Sequence, residues 1–245
     1  MRIFAGPNGS GKTTIIRAIR KAKKIPFGVY INADDIEREL NNKKRISISP
    51  YQVSILAPEQ FYQFCNLHGI TKKKRLPDFR TVLKANRKSL VLLAKNIDSY
   101  VAAVLADFLR ESLLASDVSF SFETVMSDKR KIQIAQKARN KDCRVYLYYV
   151  ATVDPEINIE RVNQRVHLGG HRVSPELIKK RYERSLGLLF EMVRLTDRAY
   201  LFDNSGSKYE LIAEITNGKQ VRINGKGNDI PNWFYKYVYQ KANLK

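Results

Sequence analysis

The sequence predicts a three-layer α/β fold, a mostly parallel sheet with helices on both faces. Three observations carry this reading. The chain opens with a short apolar strand, Arg2-Ile3-Phe4-Ala5, which runs into a glycine-rich loop and then into Ile15-Ile16-Arg17-Ala18-Ile19 at helical spacing. After Ser127, apolar strands alternate with helical stretches, the pattern of parallel strands joined by right-handed crossovers. Predicted strands also end in acids, at Asp34-Asp35 and Glu123, where open α/β sheets present functional groups.

Taken in order, the loop Gly6-Pro7-Asn8-Gly9-Ser10-Gly11-Lys12-Thr13-Thr14 is a complete phosphate-binding P-loop. Its glycines let successive N–H groups turn around an anion, and the helix N-terminus that follows adds partial positive charge. Gly28 to Asn32 is a second buried strand. Residues 41–97 form a basic, mostly helical insertion, followed by an amphipathic helix from Ile97 to Ala115 with Val101, Val104, Leu105, Phe108 and Leu109 on one face. Asp117 to Phe122 is the third strand, closed by Glu123-Thr124, and a helix from Ser127 to near Asn140 leads to the strand Arg144 to Val150.

Asp154-Pro155-Glu156 combines an N-cap, a first-turn proline and a first-turn acid, and so starts a helix that ends near His167 before Gly169-Gly170. Ser174-Pro175-Glu176 repeats the signal for a longer helix to near Thr196, and Ala199 to Asn204 is the last core strand. In the tail, Tyr209 to Glu214 reads as helix, Gln220 to Ile223 as a short edge strand, and Trp233 to Tyr239 as an aromatic helix. Residues 216–245 are thus expected as an extension packed on a single domain spanning 1–245.

The 245 residues carry 44 Lys and Arg against 24 Asp and Glu, a net charge of +20 that favours polyanionic partners. Half of this excess sits in residues 41–97, with 12 basic residues against Glu59 and Asp78. No apolar run reaches membrane-spanning length and the first strand begins beside the initiating Met, so a cytoplasmic protein is expected. Cys65 and Cys143 are isolated, which points to buried free thiols rather than a metal site or disulfide framework.

A P-loop alone fits ATPases, GTPases, helicases and small-molecule kinases. No base-reading NKxD pattern and no apolar strand ending in Asp-Glu is present, which argues against a G-domain or a motor ATPase. Lys12 would reach the β- and γ-phosphates of a bound nucleotide, and the Thr13 hydroxyl would help hold Mg²⁺. Asp34 is either the base for a substrate hydroxyl or a cap of the helix that follows, and Asp35 is the candidate cap of that helix. Glu123 either orients a Mg²⁺-bound water or contacts the acceptor together with Thr124, or is a loop acid bonded to backbone.

Arginines supply the positive charge that phosphoryl transfer calls for. Arg161 and Arg165 share one helical face, as do Arg181 and Arg184 on the next helix. The loop Gly169-Gly170-His171-Arg172-Val173 between them is glycine-hinged and basic, like a lid. Arg161 and Arg172 are the first choices for phosphate contact, and His171 either meets phosphate or caps the preceding helix.

These pieces together resemble the zeta toxin family of P-loop kinases, and in particular its chromosomal branch with a Gly-Gly-His loop. The matching runs are GPNGSGKTT (6–14), INADDI (31–36), SFSFETVMS (119–127), YVATVDPEINIERVNQRV (149–166), GGHRVSPELIKKRYERSL (169–186) and FDNSG (202–206), in family order. The resemblance implies a P-loop kinase sheet of five strands in the order 2-3-1-4-5. It also implies a base at Asp34, a phosphate lysine at Lys12, a strand-end acid at Glu123 and lid arginines at Arg161 and Arg172. Two departures stand out: Arg172 and Ser174 replace the usual acid and proline of the loop, and the basic insertion is longer than in the simplest members.

The function expected is an ATP- and Mg²⁺-dependent phosphotransferase acting on a hydroxyl of a small molecule. The resemblance suggests UDP-N-acetylglucosamine, with another nucleotide or sugar as an open alternative, and a toxin–antitoxin setting with a separate antitoxin protein. The competing reading is a nucleic-acid-binding ATPase switch, in which Tyr51, Phe61, Tyr62, Phe64 and Phe79 of the insertion stack on bases between basic residues. Against it stands the possibility that these aromatics are the insertion's own core.

Overall fold

The structure is a computed structural model that describes residues 1–22, 25–167, 173–224 and 230–242. In chain order the strand β1 (Arg2–Ala5) and helix α1 (Lys12–Lys21) lead to β2 (Val29–Ile31), α2 (Ala33–Lys43) and β3 (Arg45–Ser47). Then come α3 (Pro58–Leu67), α4 (Gly69–Lys74), α5 (Phe79–Val82), β4 (Leu83–Asn86), β5 (Ser89–Leu92), α6 (Ser99–Ala115) and β6 (Phe120–Thr124). The second half holds α7 (Arg130–Asn140), β7 (Tyr146–Ala151), α8 (Pro155–His167), α9 (Pro175–Gly187) and α10 (Leu189–Arg194). The chain closes with β8 (Arg198–Asp203), β9 (Glu210–Thr216), β10 (Gln220–Ile223) and α11 (Asn232–Phe234), the last continuing as a π-helical turn, Tyr235–Tyr239.

Where one domain is expected, the chain divides into two compact bodies: Met1–Pro26 with Glu123–Lys245, and Phe27–Phe122. In the first body β1 pairs in parallel with β7, and β7 in parallel with β8. Central strands of a parallel sheet are covered on both faces and so read as continuous apolar runs. Leu147 to Ala151 in β7 are accordingly all buried, as are Ile3, Phe4 and Ala5 in β1.

Beyond β8 the sheet continues through two antiparallel strands, β9 and β10, where the sequence suggests a helix followed by one edge strand. The segment Glu210–Thr216 has helix-compatible residues, but as β9 it satisfies its backbone in ladders to both β8 and β10 and buries Ile212, Ala213 and Ile215. Tertiary pairing thus overrides local propensity. The β9–β10 turn is built on Asn217 (φ 53°) and Gly218 (φ 66°), the left-handed pair that suits a tight hairpin.

The long helix expected to Thr196 is instead two, α9 and α10, separated at Gly187-Leu188; glycine weakens the helix there, and Leu189, Met192 and Val193 turn inward. The α7 helix starts at Arg130 rather than Ser127, and Cys143 is only half-buried while Cys65 is buried. The C-terminal segment packs on the first body through Trp233, 3% exposed, whose ring lies 6.3 Å from that of Tyr149.

In the second body β2 pairs in parallel with β6. The insertion contributes α3, α4 and α5, together with a three-stranded antiparallel sheet in the order β3-β5-β4 that the helical reading of 41–97 does not foresee. Its aromatics form a core with α6. Phe61, Tyr62 and Phe79 are buried, the Phe61 and Phe64 rings pack edge-on against Phe108, and the Tyr62 hydroxyl donates to Leu83 O and accepts from Ala85 N–H. Tyr51 is half-buried, its phenol pushed up to about 12 by burial and then by Glu39 and Asp35.

Candidate nucleotide site

The P-loop connects the buried strand β1 to α1, and each of its three glycines is required by its surroundings. Gly6 (φ 145°), Gly9 (φ 75°) and Gly11 (φ 93°) all adopt backbone that L side chains rarely take. A Cβ at Gly6 would run into Val150 O at the end of β7, at Gly9 into Asn158 O of α8, and at Gly11 into the amide of Asn204. The loop is therefore clasped by the carboxyl ends of two neighbouring strands and the start of a helix.

Gly11 is the residue before α1, no side chain caps that helix, and its first turn holds no acid. The first N–H groups of a helix have no partner within it and carry partial positive charge, so this end is suited to an anion. Within the loop, Ser10 is fully buried and its Oγ has no hydrogen-bond partner among the described residues. It lies 2.9 Å from where a Gly6 Cβ would be, on the inside of the turn. Lys12 folds back so that Nζ donates to Gly6 O at 2.8 Å and Pro7 O at 2.9 Å, while Thr13 and Thr14 are exposed at the helix start.

Two arginines of the predicted set converge on this region. Arg161 donates from Nη1 to Asn204 O at 2.6 Å and from Nη2 to Ser205 O and Gly206 O, each at 3.4 Å. Arg181 donates to Asn8 Oδ1 at 3.3 Å. Their helix neighbours Arg165 and Arg184 are exposed. His171 and Arg172, with the lid glycines, lie outside the described residues.

Two asparagines lie within the quoted runs 149–166 and 202–206 but are not picked out there as site residues. Asn158, completely buried on α8, donates to Asn8 O at 2.5 Å and accepts from the Thr152 hydroxyl, while Thr152 O receives the Tyr182 hydroxyl at 2.6 Å. Asn204, just past β8, donates to Ser10 O at 2.9 Å. Both are amides whose sequence context gives no sign of a partner some 150 or more residues away; Asn158 only looks like a polar residue on an otherwise apolar helical face.

Among the acids, Glu123 is half-buried at the end of β6, and the Thr124 hydroxyl accepts from Met126 N–H at 3.0 Å in a local turn. In the second body Asp34 and Asp35 occupy the first turn of α2, but neither caps it: the Asn32 side chain does, accepting from Asp34 N–H at 3.0 Å. Asp35 instead pairs with Arg38 at 2.6 Å, and Asp34 is exposed. Among the described residues no group of three or more His, Cys, Asp and Glu is placed to hold a metal ion, and no helix is long and apolar enough to cross a membrane.

A parallel sheet with this loop at the end of its first strand defines a P-loop protein. The chain belongs to one family with an uncharacterized protein of Haemophilus influenzae, to which it is 32% identical over 179 residues, 73% of this chain and 89% of that one. No protein-family model matches the chain. Among solved structures, a chain of the AvrRxo1-ORF1:-ORF2 complex with ATP aligns with 91% of this chain at 14% identity and a TM-score of 0.54, and one with sulphate ions aligns with 95% at 14% and 0.55. This chain spans only 60% and 64% of those chains. These likenesses are of fold.

Proposed function

We propose that the chain is an ATP-dependent phosphotransferase acting on a hydroxyl of a small-molecule acceptor. The observation that carries this reading is the closed glycine cradle of residues 6–11, with a buried, unpartnered Ser10 hydroxyl inside it and an uncapped helix start behind it. That is the shape and polarity of a phosphate site. The solved AvrRxo1-ORF1:-ORF2 complex with ATP, a chain of which shares the fold, supports ATP as the donor.

Lys12 would turn from the Gly6 and Pro7 carbonyls to the β- and γ-phosphates, and Arg181 would add charge where the transferred group develops it. The Thr13 hydroxyl and Glu123 would hold Mg²⁺, which usually keeps several waters and takes one or two protein ligands plus phosphate oxygens, a need that calls for no carboxylate cluster. The metal's contribution is to neutralise phosphate charge. Asp34 would accept the proton of the acceptor hydroxyl as its oxygen bonds to the γ-phosphorus and ADP leaves.

The acceptor is a nucleotide or sugar, with UDP-N-acetylglucosamine the first to try on the strength of the motif resemblance. A separate acidic inhibitor protein is a fitting partner for a chain of net charge +20. The stacking role for insertion aromatics finds no support, since Phe61, Tyr62 and Phe79 are consumed by the core of the second body.

The test is incubation with γ-labelled ATP, Mg²⁺ and a metabolite extract, comparing wild type with Asp34→Asn. A labelled small molecule that disappears in the variant is expected. Label released only as free phosphate, equally by both proteins, would end the kinase reading.

A further inference from the structure

The turn that follows β8, inside the run FDNSG (202–206), links the P-loop to the C-terminal segment. Asn204 Nδ2 donates to Ser10 O at 2.9 Å, and the same amide fills the space a side chain on Gly11 would need. Asn204 is itself held by its own backbone, whose N–H donates to Ala151 O at 2.9 Å and whose carbonyl receives Arg161 at 2.6 Å. Beside it, the Asp203 carboxylate accepts from Ser205 N–H at 2.8 Å and from Trp233 Nε1–H at 2.7 Å. Trp233 is 3% exposed and is the chain's single tryptophan.

Each contact has a directional consequence. The bond to Ser10 O turns that carbonyl outward, which fixes the peptide between Ser10 and Gly11 and so the direction of the Gly11 N–H. A carboxylate that accepts both an indole N–H and a backbone N–H cannot rotate without losing one of them. The Trp233 bond therefore holds the turn, and the turn holds the loop.

We infer that Asn204 is a positioning residue for the phosphate-binding loop, and that Trp233, through Asp203, is the anchor by which the C-terminal segment keeps it in place. The inference rests on the nucleotide reading of the P-loop. It adds that donor affinity depends on residues outside the P-loop, one of them about thirty residues past the last core strand.

The test compares wild type, Asn204→Asp and Trp233→Phe. Asn204→Asp keeps the shape but removes the donor, and Trp233→Phe keeps an aromatic ring but removes the N–H. ATP–Mg²⁺ binding is measured by calorimetry, unfolding is followed without nucleotide, and kcat and KM for ATP are measured at saturating acceptor. The loss of one buried hydrogen bond corresponds to about a 3- to 10-fold effect. A rise of that size in Kd and KM for ATP is expected in both variants, with kcat within about twofold and the melting temperature little changed.

A purely structural role would reduce the fraction of folded enzyme, lowering apparent kcat and melting temperature while leaving KM alone, and that result overturns the inference. So does unchanged ATP affinity in both variants while wild type binds. If Asn204→Asp fails to fold, Trp233→Phe decides alone. Absence of ATP binding by wild type removes the nucleotide reading itself, and this inference with it.

Discussion

The P-loop and the start of α2 are both helix N-termini beside strand ends, yet they are built on opposite plans. The loop is held from outside: Val150, Asn158 and Asn204 leave room for nothing larger than glycine, and amide side chains from α8 and from the turn after β8 grip the carbonyls of Asn8 and Ser10. The α2 start is held from within, by the Asn32 cap and the Asp35–Arg38 pair, with Asp34 exposed. A group that binds the same phosphates in every turnover benefits from preorganised donors that need no rearrangement. A group that must meet an acceptor is better on an open surface. On the proposed function, the difference teaches that donor recognition would reside in fixed backbone and acceptor chemistry in exposed side chains.

That contrast can be broken by experiment. The largest effect is expected for Asp34→Asn, about 10²- to 10⁴-fold in kcat with ATP affinity unchanged, as for loss of a general base; a rise in Kd for ATP instead would place Asp34 on the donor side. Lys12→Met should follow, with about a 10²- to 10³-fold loss of phosphotransfer from removal of a charge on the phosphates. Its melting temperature should fall slightly as well, because the Gly6 and Pro7 carbonyls it releases belong to buried residues.

Gly11→Ala comes next: strained backbone and a collision with Asn204 should lower both ATP affinity, by about tenfold, and melting temperature. By contrast Asp35→Asn should change affinity and stability by less than about twofold, since it removes only an exposed ion pair. Equal effects of these two substitutions would remove the distinction between a backbone-built and a side-chain-built end.

The smallest effect is read from pH. Asp128 is bound by Arg130 at 2.7 Å through both carboxylate oxygens and accepts its N–H at 3.0 Å, and these bonds hold its carboxyl at about 2. An unfolded aspartate titrates near 4, so the pairing stabilises the fold above about pH 4 and fades as pH falls towards 2. Asp128→Asn should therefore lower the melting temperature slightly at pH 6 and not at pH 2.

Much of the frame was legible in the sequence. The P-loop, the strands β2, β7 and β8, the amphipathic face of α6 and the Ser174 start of α9 all follow from local pattern, because a glycine turn, a 3.6-residue period or a helix cap is specified by residues within a few positions of each other. The predicted helix over Tyr209 to Glu214 fails for the complementary reason. As strand β9 this segment is stabilised by β8 and β10 on either side, and its own residues do not encode which neighbour will offer a ladder.

The candidate site divides along the same line. By itself the sequence determined which residues have the chemistry for phosphate, namely the glycines, Lys12, Thr13 and a set of arginines. Only the tertiary structure decided that Arg161 turns to the carbonyls of residues 204–206, that Arg181 reaches Asn8, that Asn158 and Asn204 frame the loop, and that Trp233 bonds to Asp203 beside Asn204. The physical reason is range. Backbone conformation and helix polarity are set by neighbours in the chain, whereas a hydrogen bond between residues 10 and 204 exists only once parallel strands have brought their carboxyl ends together.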